Sequence, residues 1–125
     1  MSVGVVLVSH SPLIAEGLAQ MVRQMAGDIA LAFTGGDAGG GLGTDTEKIK
    51  TAIEEVWNED GVAVFVDLGG AEMNTDVAIE LLGAERAAKV RIAAAPIVEG
   101  AVIGATVAFT GGTLEEVIAE AEAYG

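Results

Sequence analysis

Three short apolar runs set the strongest limit on what this chain can fold into. Val3–Val8 is valine-rich and apolar apart from Gly4, Val62–Val66 is apolar throughout, and Ile29–Phe33 is a shorter run of the same kind. None alternates polar and apolar residues as a half-exposed strand does. Such runs read as strands buried on both faces, the mark of a parallel sheet covered by helices.

The segments between the runs supply those helices. Ser11 reads as an N-cap with Pro12 at the first helical position, and Ile14, Leu18, Met21, Val22 and Met25 follow at helical spacing up to Gly27. Thr44 with Glu47 forms a capping-box pattern ahead of Ile49, Ala52, Ile53 and Val56. Val77, Ala78, Leu81 and Leu82 stripe a third helix. Val90–Ala93 reads as a fourth strand. Pro96 opens a nearly all-apolar helix over 97–109, and Thr113 with Glu116 repeats the capping box before Leu114, Val117, Ile118 and Ala121. Met21, Met25 and Met73 read as core filler, Trp57 as packing, and Glu72 and Asp76 as a solvated helix face. With right-handed crossovers, the alternation predicts one α/β domain over residues 1–125: a doubly wound, mainly parallel sheet of order 2-1-3-4 with helices on both faces.

Composition narrows the function. The chain of 125 residues is 51% hydrophobic, enough to bury a sizeable core. Its net charge of −13, from 19 acidic and 6 basic residues, leaves no basic patch for nucleic acid or an anionic membrane, and favours basic protein partners. The absence of cysteine excludes disulfides, thiolate catalysis and cysteine metal sites. The first residues lack a basic signal-peptide region and no apolar run approaches the ~20 residues of a membrane span, so a cytoplasmic protein is expected.

In open α/β sheets ligands bind beyond the carboxyl ends of the strands, where the strand order reverses. Here that point lies between the first strand, ending at His10, and the third, ending at Asp67. The glycine-rich stretch over 35–43 leaves the second strand beside them. A lone histidine after a strand is commonly just a polar loop residue, and an aspartate there commonly caps a turn. Together they make chemistry available. His10, the only histidine, has an unprotonated ring nitrogen when neutral. If Asp67 accepts the Nδ1 proton, Nε2 is left as a nucleophile for phosphorus and the ring cation is stabilised. Backbone amides around Ser11, Gly43, Thr44 and Gly69 would cradle the phosphate. The glycines fit neither GxxxxGK[ST] nor GxGxxG, which argues against those nucleotide-binding devices. Nor does Ser9-His10 supply the acidic residues that a receiver domain places there. Nothing in the pattern calls for a metal or a cofactor.

The segments Val5-Val6-Leu7-Val8-Ser9-His10-Ser11 and Val64-Phe65-Val66-Asp67-Leu68-Gly69-Gly70-Ala71-Glu72-Met73-Asn74 resemble the mannose-type EIIA family of the bacterial phosphotransferase system. With the Gly-Leu-Gly-Thr-Asp-Thr-Glu stretch over 41–47, the resemblance is greatest to the phosphotransfer subunits of phosphoenolpyruvate-dependent dihydroxyacetone kinases. It implies that His10 accepts phosphate from HPr and passes it to ADP held by DhaL, which acts with DhaK. It also implies that Asp67 orients His10, and that the protein is a homodimer; the apolar helix over 97–109 is a candidate interface, although core burial explains it equally well. The resemblance leads one to expect a small hydroxyl residue at position 70, where this sequence departs with Gly70. With no HPr-like or enzyme-I-like domain in the 125 residues, a separate donor is expected. Two other readings stay open: a sugar-transporter EIIA with the same chemistry, and a non-catalytic ligand-binding module on the same fold.

Overall fold

The computed structural model describes residues 2–124. The first strand, β1 (Gly4–Ser9), lies at the sheet's centre between β2 (Leu31–Gly35) and β3 (Val62–Val66), and β4 (Val90–Ala93) pairs with β3. All three pairings are parallel and the order is β2-β1-β3-β4, as the alternation predicts. The register sets Val8 opposite Val66 and Ser9 opposite Gly35, so the ends of the three strands form one rim.

Side chains alternate across the sheet and fill two cores. Val5 and Leu7 of β1 and Phe65 of β3 meet α1 (Pro12–Ala26), α5 (Ile97–Phe109) and α6 (Leu114–Tyr124). Val6, Val8 and Val64 face the other way, onto α2 (Thr46–Val56) and α3 (Gly69–Glu80), through Ile49, Ile53, Ala71 and Ala78. The strands are therefore buried on both faces, which is why their sequences carry no alternation. On the first face α5 comes very close to the sheet. A Cβ at Gly104 would stand 2.5 Å from the Phe65 ring, so glycine is kept there despite its cost of about 1 kcal/mol in a helix interior.

Several local expectations are corrected. The first strand runs to Ser9, and β2 begins at Leu31 rather than Ile29, whose side chain packs on the core from the approach to the strand. Asp45, not Thr44, caps α2, accepting the Lys48 amide at 2.9 Å. Met21, Met25 and Met73 are exposed, because α1 packs through Ala15, Leu18, Ala19 and Val22 and α3 through Ala71, Thr75 and Ala78. The buried face of α3 is made of small residues, and Val77 and Leu81 point outward. The short helix α4 (Ala84–Ala87) has no counterpart in the sequence reading. Trp57 packs on the second core, its indole N–H donating to the Arg86 carbonyl at 3.1 Å. The Thr113–Glu116 capping box forms in both directions, at 2.8 and 3.2 Å. No helix among the described residues is long and apolar enough to cross a membrane.

Candidate active site

Four segments converge on the rim. β1 delivers Ser9 and His10, β3 delivers Asp67, the loop after β2 wraps in from one side, and α3 starts on the other. His10 is fixed at three atoms. Its amide donates to Asp67 Oδ2 at 2.9 Å, its carbonyl accepts the Gly43 amide at 2.8 Å, and its ring Nδ1 lies 2.9 Å from Asp67 Oδ1. The ring is 28% exposed and the Asp67 side chain 14%, so the pair sits half-shielded, with the ring the more open of the two.

Asp67 has both oxygens occupied. Oδ2 accepts from the Ser9 hydroxyl (2.8 Å) and the His10 amide, and Oδ1 from the Leu68 amide (2.7 Å) and His10 Nδ1. Burial pushes the carboxyl pKa up. The bonds from the His10 amide, the His10 ring, the Ser9 hydroxyl and the Leu68 amide outweigh it and hold the group below the ordinary carboxylate range. An ionised carboxylate can only accept, so Nδ1 carries the ring proton and the neutral ring keeps its lone pair on Nε2. That nitrogen faces the start of α3, since a Cβ at Gly70 would be 3.3 Å from it. The Gly69 and Gly70 amides head α3 and have no partner within the helix.

The loop after β2 is ordered by its own side chains. Asp37 Oδ1 accepts the amides of Gly39 (3.0 Å) and Gly41 (2.9 Å), and the Lys48 amine binds the Asp37 carbonyl at 2.7 Å. Asn74 of α3 donates to the Thr44 hydroxyl, tying the loop across the site. A Cβ at Gly35 would meet the Ser11 carbonyl at 2.5 Å, so a glycine lets this loop lie directly on the His10 segment.

The expected phosphate contacts divide. Gly69 is the first residue of α3, next to Gly70, which is the residue that faces Nε2. The Ser11 amide is taken by Ser9 Oγ (3.1 Å), and Ser11 Oγ accepts from Ile14 (3.3 Å), which leaves its hydroxyl hydrogen free to donate. Gly43 has its amide on His10 and Thr44 has its hydroxyl on Asn74, so both shape the lip of the site. Two contributors are not among the site residues expected from the sequence, Ser9 and Asn74, and at Gly70 it is the bare backbone that faces Nε2. A polar residue closing an otherwise apolar buried strand was the available signal for Ser9.

A histidine held through Nδ1 by a carboxylate, at the carboxyl rim of a 2-1-3-4 parallel sheet, defines a class of site: an imidazole with Nε2 free at the ligand-binding edge of an α/β fold. The chain belongs to the EIIA-man family, described as the PTS system fructose IIA component, which it matches over residues 4–119. It is 41% identical over 123 residues to the phosphoryl donor subunit DhaM of the PEP-dependent dihydroxyacetone kinase of Escherichia coli (strain K12), a match covering 95% of this chain and 26% of the relative. It is 39% identical over 118 residues to the phosphotransferase subunit DhaM of the PTS-dependent dihydroxyacetone kinase of Lactococcus lactis subsp. lactis (strain IL1403), covering 94% of this chain and 91% of that one. The chain thus spans about a quarter of the first relative and nearly all of the second. Among solved structures, a protein of unknown function, EF1359, superposes with a TM-score of 0.84 at 31% identity, over 98% of this chain and 95% of that one.

Proposed function

We propose that this protein is a phosphoryl carrier of a dihydroxyacetone kinase system, in which His10 takes phosphate from phospho-HPr and passes it to ADP bound to DhaL, working with DhaK. The observation that carries this reading is the 2.9 Å bond between His10 Nδ1 and Asp67 Oδ1, which leaves Nε2 free beside the open start of α3. The DhaM names of the curated relatives support the choice of system.

The chemistry follows from the pair. The Nε2 lone pair forms a bond to phosphorus as the bond from phosphorus to the donor breaks. Positive charge appears on the ring, whose Nδ1 proton stays on its bond to Asp67. In the second transfer a β-phosphate oxygen of ADP attacks, the N–P bond breaks, and the ring regains its neutral form with the proton still on Nδ1. The phosphoryl oxygens would meet the amides of Gly69 and Gly70 and the Ser11 hydroxyl, with Gly43 and Thr44 forming the lip. The net charge of −13 steers basic partner surfaces toward the molecule.

Incubation with phosphoenolpyruvate, enzyme I and HPr, read by intact mass, is expected to add one phosphate per chain, acid-labile and base-stable. His10→Ala is expected to take up none, and a normally phosphorylated His10→Ala protein would refute the assignment. The carrier acts in the cytoplasm as a homodimer that covers the apolar face formed by Met21 and Met25 of α1, Val98, Val102 and Ile103 of α5, and Tyr124. Sedimentation equilibrium should then give twice the chain mass, and a monomeric mass removes the dimer.

A further inference from the structure

The carrier chemistry leaves one buried polar side chain without a role. Two polar residues, Ser9 and Thr75, are fully buried among the described residues. Thr75 needs no special account, because its hydroxyl donates to the Ala71 carbonyl one turn back in its own helix, at 2.6 Å. Ser9 bonds nothing in its own strand. It donates to Asp67 Oδ2 at 2.8 Å, beyond the end of β3, and accepts the Ser11 amide at 3.1 Å, at the start of α1.

We propose that Ser9 is a positioning residue for phosphoryl transfer: its hydroxyl fixes the plane of the Asp67 carboxylate and thereby the direction of the His10 Nε2 lone pair. The inference rests on His10 as the carrier. A carboxylate held only through Oδ1 can swing about its Cβ–Cγ bond. Asp67 is held at Oδ2 as well, by Ser9 and by the His10 amide, and this leaves Oδ1 aimed at Nδ1. The Ser9 oxygen also closes a turn over His10 through the Ser11 amide, so the backbone on both sides of the carrier is tied to the same carboxylate. Neighbours that orient a reacting imidazole through its carboxylate are typically worth about tenfold to a hundredfold in function, by analogy with the outer partners of metal-bound histidines.

The same contact bears on protonation. His10 is the one titratable group bonded to Asp67 among the described residues. Glu16 of α1 and Glu72 of α3 are exposed. Asp37 and Asp45 accept backbone amides of their own segments, and the Lys48 amine lies on the Asp37 carbonyl. Loss of the Ser9 donor should therefore raise the pH at which Asp67 takes up a proton, since one of the bonds favouring its ionised form is gone.

The test is Ser9→Ala, which deletes the hydroxyl and keeps the volume nearly constant. Phosphate uptake from phospho-HPr is expected to slow about tenfold. The Asp67 carboxyl titration, read by carbon NMR on the unphosphorylated protein, is expected to move to higher pH. Ser9→Thr, which retains a hydroxyl, should restore most of the rate. In an Asp67→Asn background, adding Ser9→Ala should change nothing further, because the two act as one unit. A wild-type rate with an unmoved Asp67 carboxyl titration overturns the proposal, as does an equal slowing by Ser9→Ala in the Asp67→Asn background. If Ser9→Ala does not fold, Ser9→Cys, whose S–H is a weak donor, is titrated in its place, and an unmoved Asp67 carboxyl there overturns it equally. A failure of His10 to take up phosphate would sink the carrier reading, while the Asp67 titration still decides what Ser9 does to its carboxylate.

Discussion

Helices α1 and α3 both begin at the rim beside His10, at the ends of the neighbouring strands β1 and β3, yet their first turns are built in opposite ways. The start of α1 is closed. Ser11 caps it by accepting the Ile14 amide, Pro12 has no N–H to satisfy, and the Ser11 amide is held by Ser9. The start of α3 is open. Its N-cap is Leu68, which has no side-chain acceptor, and Gly69 and Gly70 present their amides without intrahelical partners. A helix start left without a cap must find water or a ligand, and its partial positive charge favours an anion. The open start is the one that faces His10 Nε2. The difference separates scaffold from site: the start of α1 is satisfied by its own segment, and in the proposed transfer the start of α3 would receive the phosphoryl group.

The largest effect should come from filling the open end. Gly70→Val would put a branched side chain against Nε2, where a Cβ alone already stands at 3.3 Å. Displacing the line of attack by a fraction of an ångström to an ångström is expected to slow transfer about a hundredfold. Stopped-flow phosphorylation by phospho-HPr checks this, and a rate within threefold of wild type would move the phosphoryl group away from α3. Next comes Asp67→Asn, which keeps the shape and removes the charge that holds the Nδ1 proton. Transfer is expected to fall at least tenfold with the fold intact. Its stability should also respond differently to acid. The lowered carboxyl of Asp67 stabilises the folded state fully above its unfolded value of about 4, and this contribution is lost as pH falls through the lower folded value. The variant lacks that contribution, so its denaturation midpoint should fall less steeply than wild type below about pH 4. Parallel curves would mean that the bonds to Asp67 do not favour its ionised form.

How much of this contrast is legible in the sequence differs between the two helices. Ser11-Pro12 is a local signal, because a cap and an N1 proline act within one turn, and α1 begins where they place it. The strand order is equally readable from alternating apolar runs and right-handed crossovers, and it carries His10 and Asp67 to one rim. The open start of α3 is harder to read, since it is defined by a missing cap at Leu68 and by a contact from Gly70 to a residue sixty positions away. Ser9 was hidden for a similar reason. Its bond to Asp67 depends on the register between β1 and β3, which no local pattern states. The Thr44–Glu47 box misled because Asp45 competes for the same amides, and the Thr44 hydroxyl is drawn to Asn74 by tertiary contact. Hydrophobic spacing fails on Met21, Val77 and Leu81, because α1 buries Ala15 and Ala19 beside Leu18 and Val22, α3 buries Ala71, Thr75 and Ala78, and these longer side chains are left on the outside.

A smaller effect should follow from giving α3 the cap it lacks. The Leu68 backbone is extended, at φ −131° and ψ 162°, as an N-cap requires, and its side chain is exposed. Leu68→Asp would accept an amide of the first turn and place a negative charge at the helix start. The variant is expected to gain about 0.5–1 kcal/mol of stability and to lose several-fold in phosphorylation rate. Gains in both would show that the open end is not where the phosphate sits.

The smallest effect on transfer is expected from the closed end. Ser11→Ala removes the cap of α1 and costs about 1 kcal/mol, which for a chain of this length lowers the midpoint of thermal unfolding by about 4 °C. Its hydroxyl hydrogen is one of several donors available to the phosphoryl oxygens, while the Gly69 and Gly70 amides remain, so transfer should fall only about two- to threefold. Scanning calorimetry and the same phosphorylation assay, run on one preparation, separate the two consequences. A large loss of rate with little loss of stability would reverse the assignment of the two helix starts. The anion would then belong to the side of His10 that its strand and cap close, and Ser11 rather than α3 would be the phosphate's main contact.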